Sequence, residues 1–258
     1  VYLMENVEQV RDVLTKQLDP AAADVVRDIV RRAFDAFSPE TISDGSAIEA
    51  GAGVYLTAAL SGQRTAALNI AREAVHEGTS VIDVYSNMLQ PAQYEIGRLW
   101  ETNRITVAQE HLATAVTQFV VSQLYNDLPT PTARRGNVVV AGVEGEQHQL
   151  GARILGDALE ADGWNVMFLG SQLPMKDVLS FVNQHRPEAL ALSVTMLFNV
   201  SRAAQLIDDV RRYHDGRIRV VVGGSAFRAR RELWRDIGAD GSAHDLRSGL
   251  ALFNQLAN

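Results

Sequence analysis

Cysteine is absent from the 258 residues. That excludes disulfides, thiolate metal sites and any chromophore held through a thioether. Long apolar runs are missing too, and none approaches the ~20 residues a helix needs to cross a bilayer. The opening residues, Val-Tyr-Leu-Met-Glu-Asn, lack the basic start and apolar core of a secretory signal, so a cytoplasmic chain without membrane contact is expected. A start at Val1 rather than Met is what a trimmed N-terminus would give. Positive charge is scarce: 24 Lys and Arg stand against 31 Asp and Glu, a net −7, which argues against a general nucleic-acid surface. The one basic cluster, Arg228 to Arg235, reads as a solvated helix face. There is no nucleophile with its base and orienter and no phosphate loop, so no self-sufficient active site is expected.

A hydrophobic content of 47% is enough for two modest domains. Residues 1–46 read as a helical extension. Val7, Val10, Val13 and Leu14 form one apolar stripe. Pro20 can open a second helix, where its missing N–H costs little, and Val25, Val26, Ile29, Val30, Ala33 and Phe34 line its apolar face. A dimer interface, or packing on the next domain, would bury these stripes. Ser38 to Ser46 reads as a linker. Residues 47–130 read as four helices with breaks near Ser61-Gly62, Glu77 to Ser80 and Thr102-Asn103, hence an antiparallel bundle. Thr106 can cap the last helix, with Glu110 near its first turn. Asn126 to Ala133 is a second linker, because its prolines cannot continue a helix.

Residues 136–258 alternate apolar runs with amphipathic ones, the pattern of a doubly wound parallel sheet. Three strand ends carry unusual residues. Val138 to Gly142 leads into Glu144-Gly-Glu-Gln-His148-Gln-Leu-Gly151. Forty-one residues separate Gly151 from Ser193-Val-Thr195, at the end of the run Ala189 to Ser193, and twenty-seven more separate Thr195 from Gly223-Gly224, directly after Val220 to Val222. Ligands of such sheets bind beyond the carboxyl ends of the strands, which puts His148 at the mouth of a crevice. Glu146 can accept a hydrogen bond from one imidazole nitrogen and leave the other for a metal, and Gly151 admits a bulky ligand. Taken alone, a loop His beside a Glu is also the common solvated surface pair. His185 and His244 read as solvated, Trp164 as core, and Asp240-Gly241 as a strand–loop lining the crevice with a weak ligand role.

These linked elements resemble the cobalamin-binding domain of methionine synthase and the methylmalonyl mutases, with its Asp-x-His-x-x-Gly, Ser-x-Leu (or Thr) and Gly-Gly signature. The resemblance covers about half the chain, roughly 136–258, and Glu146 replaces the family's Asp while keeping a carboxylate. It implies an α + α/β protein: a helical N-terminal segment and four-helix bundle, then a flavodoxin-like (Rossmann-like) sheet. A bundle before such a domain is the arrangement of methionine synthase, where it caps the upper face of the corrin. The resemblance further implies cobalt ligation by His148 from below. Gly223 and Gly224 would give close backbone approach to the nucleotide tail, and Ser193 and Thr195 would offer it hydroxyls.

The bundle adds Trp100 followed, after nine residues, by Glu110-His111. Separately, a helix-end Trp is usually core and a helical Glu-His pair usually surface. Together they are similar to the Trp-x9-Glu-His signature of light-sensing adenosylcobalamin proteins, among them the photoreceptor repressors of carotenoid genes. In those proteins the signature residues shelter the adenosyl group, and Val107 matches a small apolar residue of that pocket. Two departures stand out. Residues 1–46 are too short and too acidic for the repressors' winged-helix domain, so direct DNA binding is not expected. Glu101 stands where the repressors carry a His directly after the Trp, so their bis-His light product is not expected to form in the same way. Photocobilins, which bind a linear tetrapyrrole as well, are a second similar group; without Cys, a bilin such as biliverdin would be held without a thioether. The resemblance implies a homo-oligomer or an effector partner that reads a light switch. Its rival is a corrinoid carrier of a methyltransferase system, which shares the lower motif and the bundle. A buried Trp is worth roughly 4–6 kcal/mol, near the ~5.5 kcal/mol that inverts a two-state equilibrium, so loss of cover over Trp100 is expected to move the bundle.

Overall fold

The computed structural model describes residues 2–36, 49–214, 216–230 and 232–256. The linker expected at 38–46 lies outside the described residues. Two helices come first, α1 (Tyr2–Gln17) and α2 (Pro20–Ala36). Pro20 does begin α2, and Asp19 caps it by accepting from the backbone N–H groups of Ala21 and Ala22 at 3.0 and 3.1 Å. The two helices pack on each other, yet Val10, Val13, Leu14, Val25 and Ile29 stay exposed.

Then come α3 (Ala50–Leu60), α4 (Arg64–His76), α5 (Val81–Val84), a π-helical turn (Tyr85–Leu89), α6 (Gln90–Glu101) and α7 (Val107–Leu124). The last three segments before α7 are one continuous rod, so the bundle has four helices. The π turn went unread in the sequence. Pro91 has no N–H to donate and crowds the carbonyl four residues back, and the helix widens just ahead of it. Breaks at Gly62 and Gly78 fall at positive φ, 68° and 99°, where glycine is favoured. Thr106 caps α7 in a reciprocal box: its hydroxyl accepts from the Gln109 N–H, and the Gln109 side chain accepts from the Thr106 N–H. We expect Thr106→Ala to cost about 1 kcal/mol, readable as a small fall in the midpoint of urea unfolding.

The second half carries β1 (Gly136–Gly142), α8 (Leu150–Ala161), β2 (Trp164–Gly170), α9 (Met175–His185), β3 (Ala189–Ser193), α10 (Val200–His214), β4 (Arg219–Gly223), α11 (Ser225–Ala229), α12 (Leu233–Asp236), β5 (Gly241–Ala243) and α13 (Leu246–Leu256). The strands form one parallel sheet in the order β2-β1-β3-β4-β5, the flavodoxin-like doubly wound order. The expected α + α/β architecture is therefore what the structure has. Register sets Gly142, Ser193, Gly223 and Ala243 side by side, which aligns the carboxyl ends of four strands.

The bundle sits on one face of this layer. Leu150, Ile154 and Ala158 of α8 and Leu246 of α13 belong to the same buried cluster as Tyr55, Tyr85, Leu89 and Val121. Polar contacts flank the seam: Tyr125 donates to Glu160 at 2.8 Å, Gln90 accepts from the Leu246 N–H at 3.2 Å, and Arg247 pairs with Asp83. Trp164 is buried against Phe253 in an edge-on pair, as expected of a core residue. Among the described residues no helix is long and apolar enough to cross a membrane.

Three expectations fall here. Arg228 to Arg235 is not one helix face: it spans α11, a break and α12, and the Arg228 guanidinium lies 4.0 Å over the ring of Tyr94. Asp240 does not line the crevice. It precedes β5, at the amino end of the sheet, where its carboxylate accepts from Arg211 at 2.6 Å and from the Val220 N–H at 2.6 Å. His244 is not simply solvated, because its carbonyl accepts from Tyr94 at 3.3 Å and its Nδ1 is buried without a partner.

Candidate functional site

The loop between β1 and α8 is held from within. Glu146 is completely buried, and its carboxylate gathers the loop around itself. Oε1 accepts from the backbone N–H groups of Gln147 and His148, both at 3.1 Å, and meets His148 Nδ1 at 2.5 Å. Oε2 accepts from the N–H groups of Thr195 at 2.8 Å and Met196 at 3.1 Å, and from Asn199 Nδ2 at 3.3 Å. Burial alone would raise the Glu146 pKa, but these donors outweigh it and hold the carboxyl down at about 2. A buried anion is thus paid for by six donors from two loops.

His148 follows from this. Nδ1 is committed to Glu146, which leaves Nε2 as the nitrogen with a lone pair to offer. The imidazole is 49% exposed. The hydrogen bond to Glu146 raises its pKa above the usual value against the opposing effect of burial, and the Glu110 charge adds to the rise. Glu110 belongs to α7, so bundle and loop face each other closely enough to interact. Gly151 carries nothing within 4 Å of where a Cβ would stand. No neighbouring protein atom forbids a side chain there, so the room it leaves lies open to a ligand.

Thr195 enters the site through its backbone N–H, and its carbonyl accepts from Ser225 Oγ at 3.2 Å. The roles of Gly223 and Gly224 split. Gly224 has φ +105°, and a Cβ there would stand 2.2 Å from the Val194 carbonyl oxygen, so the fold itself requires this glycine. Gly223 is bonded to the same neighbour, its carbonyl accepting from the Val194 N–H at 2.8 Å. Ser193 ends β3 between Gly142 and Gly223 in register.

Above, two helix faces come together. Gln93, Gly97 and Trp100 lie four and three residues apart on α6, and Val107, Glu110 and Thr114 share a face of α7. Thr114 Oγ lies 2.9 Å from Glu110 Oε1 and 3.2 Å from Gln93 Oε1. Gln93 in turn donates to Thr117, which accepts from Tyr55 in the bundle core. Glu110 is thereby tied to the interior. His111 turns back on its own helix, its Nδ1 2.9 Å from the Val107 carbonyl and 2.7 Å from Glu110, and its side chain is 71% exposed. Trp100 is 39% and Val107 55% exposed. Sequence reasoning missed Gln93 and Thr114, which link Glu110 to the bundle core and whose only signal was helical spacing from Trp100 and Glu110. It also missed Asn199.

A flavodoxin-like sheet whose first loop presents a carboxylate-anchored histidine, capped by a four-helix bundle, defines a corrinoid-binding class. Residues 136–251 match the family model of the B12 binding domain, and residues 54–125 match a second B12 binding domain model. The chain belongs to the B12-binding proteins. It is 31% identical over 156 residues to the HTH-type transcriptional repressor CarA of Myxococcus xanthus, covering 60% of this chain and 53% of that one. It is 24% identical over 190 residues to dimethylamine corrinoid protein 3 of Methanosarcina acetivorans, covering 71% of this chain and 88% of that one. The chain thus spans about half the length of the repressor it matches. The structure of the Methanosarcina barkeri monomethylamine corrinoid protein shares the fold, with TM-score 0.69 and 17% identity over 78% of this chain and 96% of that one. Both regulators and corrinoid proteins of methylamine systems are therefore among its homologues.

Proposed function

We propose that the protein is a light sensor that holds adenosylcobalamin between bundle and sheet, and not an enzyme. One observation supports this reading: Glu110 of the bundle lies near enough to His148 for its charge to act on the imidazole, and Trp100 is on the α6 face that meets α7 through Gln93 and Thr114. In this reading His148 would hold the cobalt of a bound corrinoid through Nε2. Ser193, Thr195, Gly223 and Gly224 flank the slot for the nucleotide tail, and Gly151 gives it room. Trp100 and Val107 would pack against the adenosyl group, to whose ribose or adenine Glu110 and His111 would offer hydrogen bonds. Adenosylcobalamin, when bound, supplies a cobalt–carbon bond that light can break.

The energetics of the cap revise the expectation from sequence. Only the exposed 39% of Trp100 remains to be covered, worth about 1.5–2.5 kcal/mol at ~25 cal/mol/Å². Val107, about half exposed, adds about 1 kcal/mol. Together they shift a two-state equilibrium about a hundredfold, short of full inversion. Trp100 biases the bundle, and assembly or an effector partner has to supply the rest. Exposed Val10, Val13, Leu14, Val25 and Ile29 on the α1–α2 pair support an output through homo-oligomer assembly.

The test is the absorption spectrum of protein loaded with adenosylcobalamin in darkness, before and after green light, with size-exclusion runs in parallel. A photolysed spectrum with a changed size is expected. Trp100→Ala is expected to keep the photolysed spectrum and lose most of the size change; an undiminished change would sink the mechanism. A second pigment such as biliverdin would declare itself as an absorption band that survives cobalamin removal. The alternative, a corrinoid methyl carrier, draws on the 88% coverage of the dimethylamine corrinoid protein. Retention of methylcobalamin over adenosylcobalamin would favour it.

A further inference from the structure

Behind Glu146 stand two residues that neither the sequence nor the family match singles out. Asn199 closes a 3-10 turn (Leu197–Asn199) just before α10, and it is completely buried. Its Nδ2 donates to Glu146 Oε2 at 3.3 Å, and its Oδ1 accepts from Arg202 Nη1 at 2.8 Å. The same Arg202 nitrogen donates to the Glu144 carbonyl at 3.1 Å. Gly145 makes that reach feasible: its φ is +80°, and a Cβ there would stand 2.2 Å from Arg202 Nη1. Arg202 therefore ties the β1–α8 loop to α10 at the turn where the loop would otherwise carry a side chain.

The chemistry of the pair is directional. The two ends of a carboxamide have nearly the same shape, and neighbours decide which end points where. A guanidinium only donates, so Arg202 draws Oδ1 to itself and turns Nδ2 onto Glu146. Three donors then fill Oε2, and Oε1 is left for the loop N–H groups and the His148 ring. With the carboxylate plane fixed, Nδ1–H of His148 has one place to point. We propose that Asn199 and Arg202 are positioning residues for His148, setting its tautomer and ring plane so that Nε2 is presented to the crevice. This rests on the reading of His148 as the lower cobalt ligand.

The experiment uses the full chain loaded with cob(II)alamin, prepared with natural or 15N-labelled histidine, and reads the nitrogen splitting in frozen-solution electron paramagnetic resonance. Wild type is expected to show a splitting that changes with the histidine label, and His148→Ala is expected to lose it. Asn199→Leu keeps the volume and drops both hydrogen bonds. It is expected to lose most of the histidine splitting and to bind cobalamin 10–100-fold more weakly, the usual cost of removing an outer partner of a metal ligand. Arg202→Leu, at a half-buried position, is expected to act in the same direction and decides the matter if Asn199→Leu does not fold. Arg202→Lys, which keeps a donor, is expected to restore part of the splitting. Undiminished splitting and affinity in both leucine variants would overturn this inference alone. A wild type without histidine splitting would overturn the ligand reading and this inference with it.

Discussion

Gly224→Ala is expected to destabilise the protein by about 3–5 kcal/mol, at the high end for a single substitution, because overpacking and backbone strain act together. The backbone at Gly224 sits at φ +105° and ψ 172°, a region that only glycine occupies freely and that costs other residues about 1–3 kcal/mol. The added methyl would also stand 2.2, 2.7 and 3.0 Å from the oxygen, carbon and nitrogen of Val194. All three are backbone atoms, so no rotamer change relieves the contact. Relief would require parting the ends of β3 and β4, where the Val194 N–H donates to Gly223 at 2.8 Å and the Ala226 N–H to Val194 at 3.3 Å. At about 2–4 °C per kcal/mol for a domain of this size, the thermal midpoint should fall by about 10 °C. Gly53→Ala is the control. Gly53 lies within α3 with nothing within 4 Å of its would-be Cβ, and alanine there should stabilise by about 0.5–1 kcal/mol. Equal melting of the two variants would mean that Gly224 does not meet Val194.

The same glycine shows where sequence reading stops. Gly223-Gly224 was legible as a strand end because β4 is a buried parallel strand, and such strands read as continuous apolar runs. That the second glycine is demanded by Val194, thirty residues away, is a tertiary fact with no local signature. The bundle breaks were legible for a related reason: Gly62, Gly78 and the Thr106 cap are local devices, each acting within a turn of its own position. Asp240 was misplaced because β5 is only three residues long, Gly241–Ala243, too short for periodicity to say which of its ends faces the crevice. The acidic residue beside it answers to Arg211 and the Val220 N–H. His244 was misjudged because Tyr94, on another layer of the molecule, touches its backbone. Asn199 and Arg202 carry no pattern at all in the sequence. Their meaning exists only where the β1–α8 loop lies against the start of α10.

Glu146 yields the other large effect, and it is expected in the protein without cobalamin. Its carboxyl is held at about 2, against a usual 4.5. The folded value is the lower one, so the stabilisation is complete above the unfolded value and drains away as pH falls from about 4.5 towards 2. A gap of this width corresponds to a contribution on the order of 3 kcal/mol. Glu146→Gln keeps the shape but gives up the charge, and its amide nitrogen cannot accept from the donors around it. The stability difference between wild type and Glu146→Gln should therefore be about 3 kcal/mol at pH 6–7 and should close as pH approaches 2, measured by urea unfolding at each pH. Parallel curves down to pH 2 would mean that the charge does not anchor the loops. The effect matters for function because the Thr195, Met196 and Asn199 donors hold the same carboxylate that meets His148 Nδ1. The carboxylate that orients His148 is thus also the charge that joins the β1 and β3 loops, and changes at Glu146 should weaken fold and ligand site together.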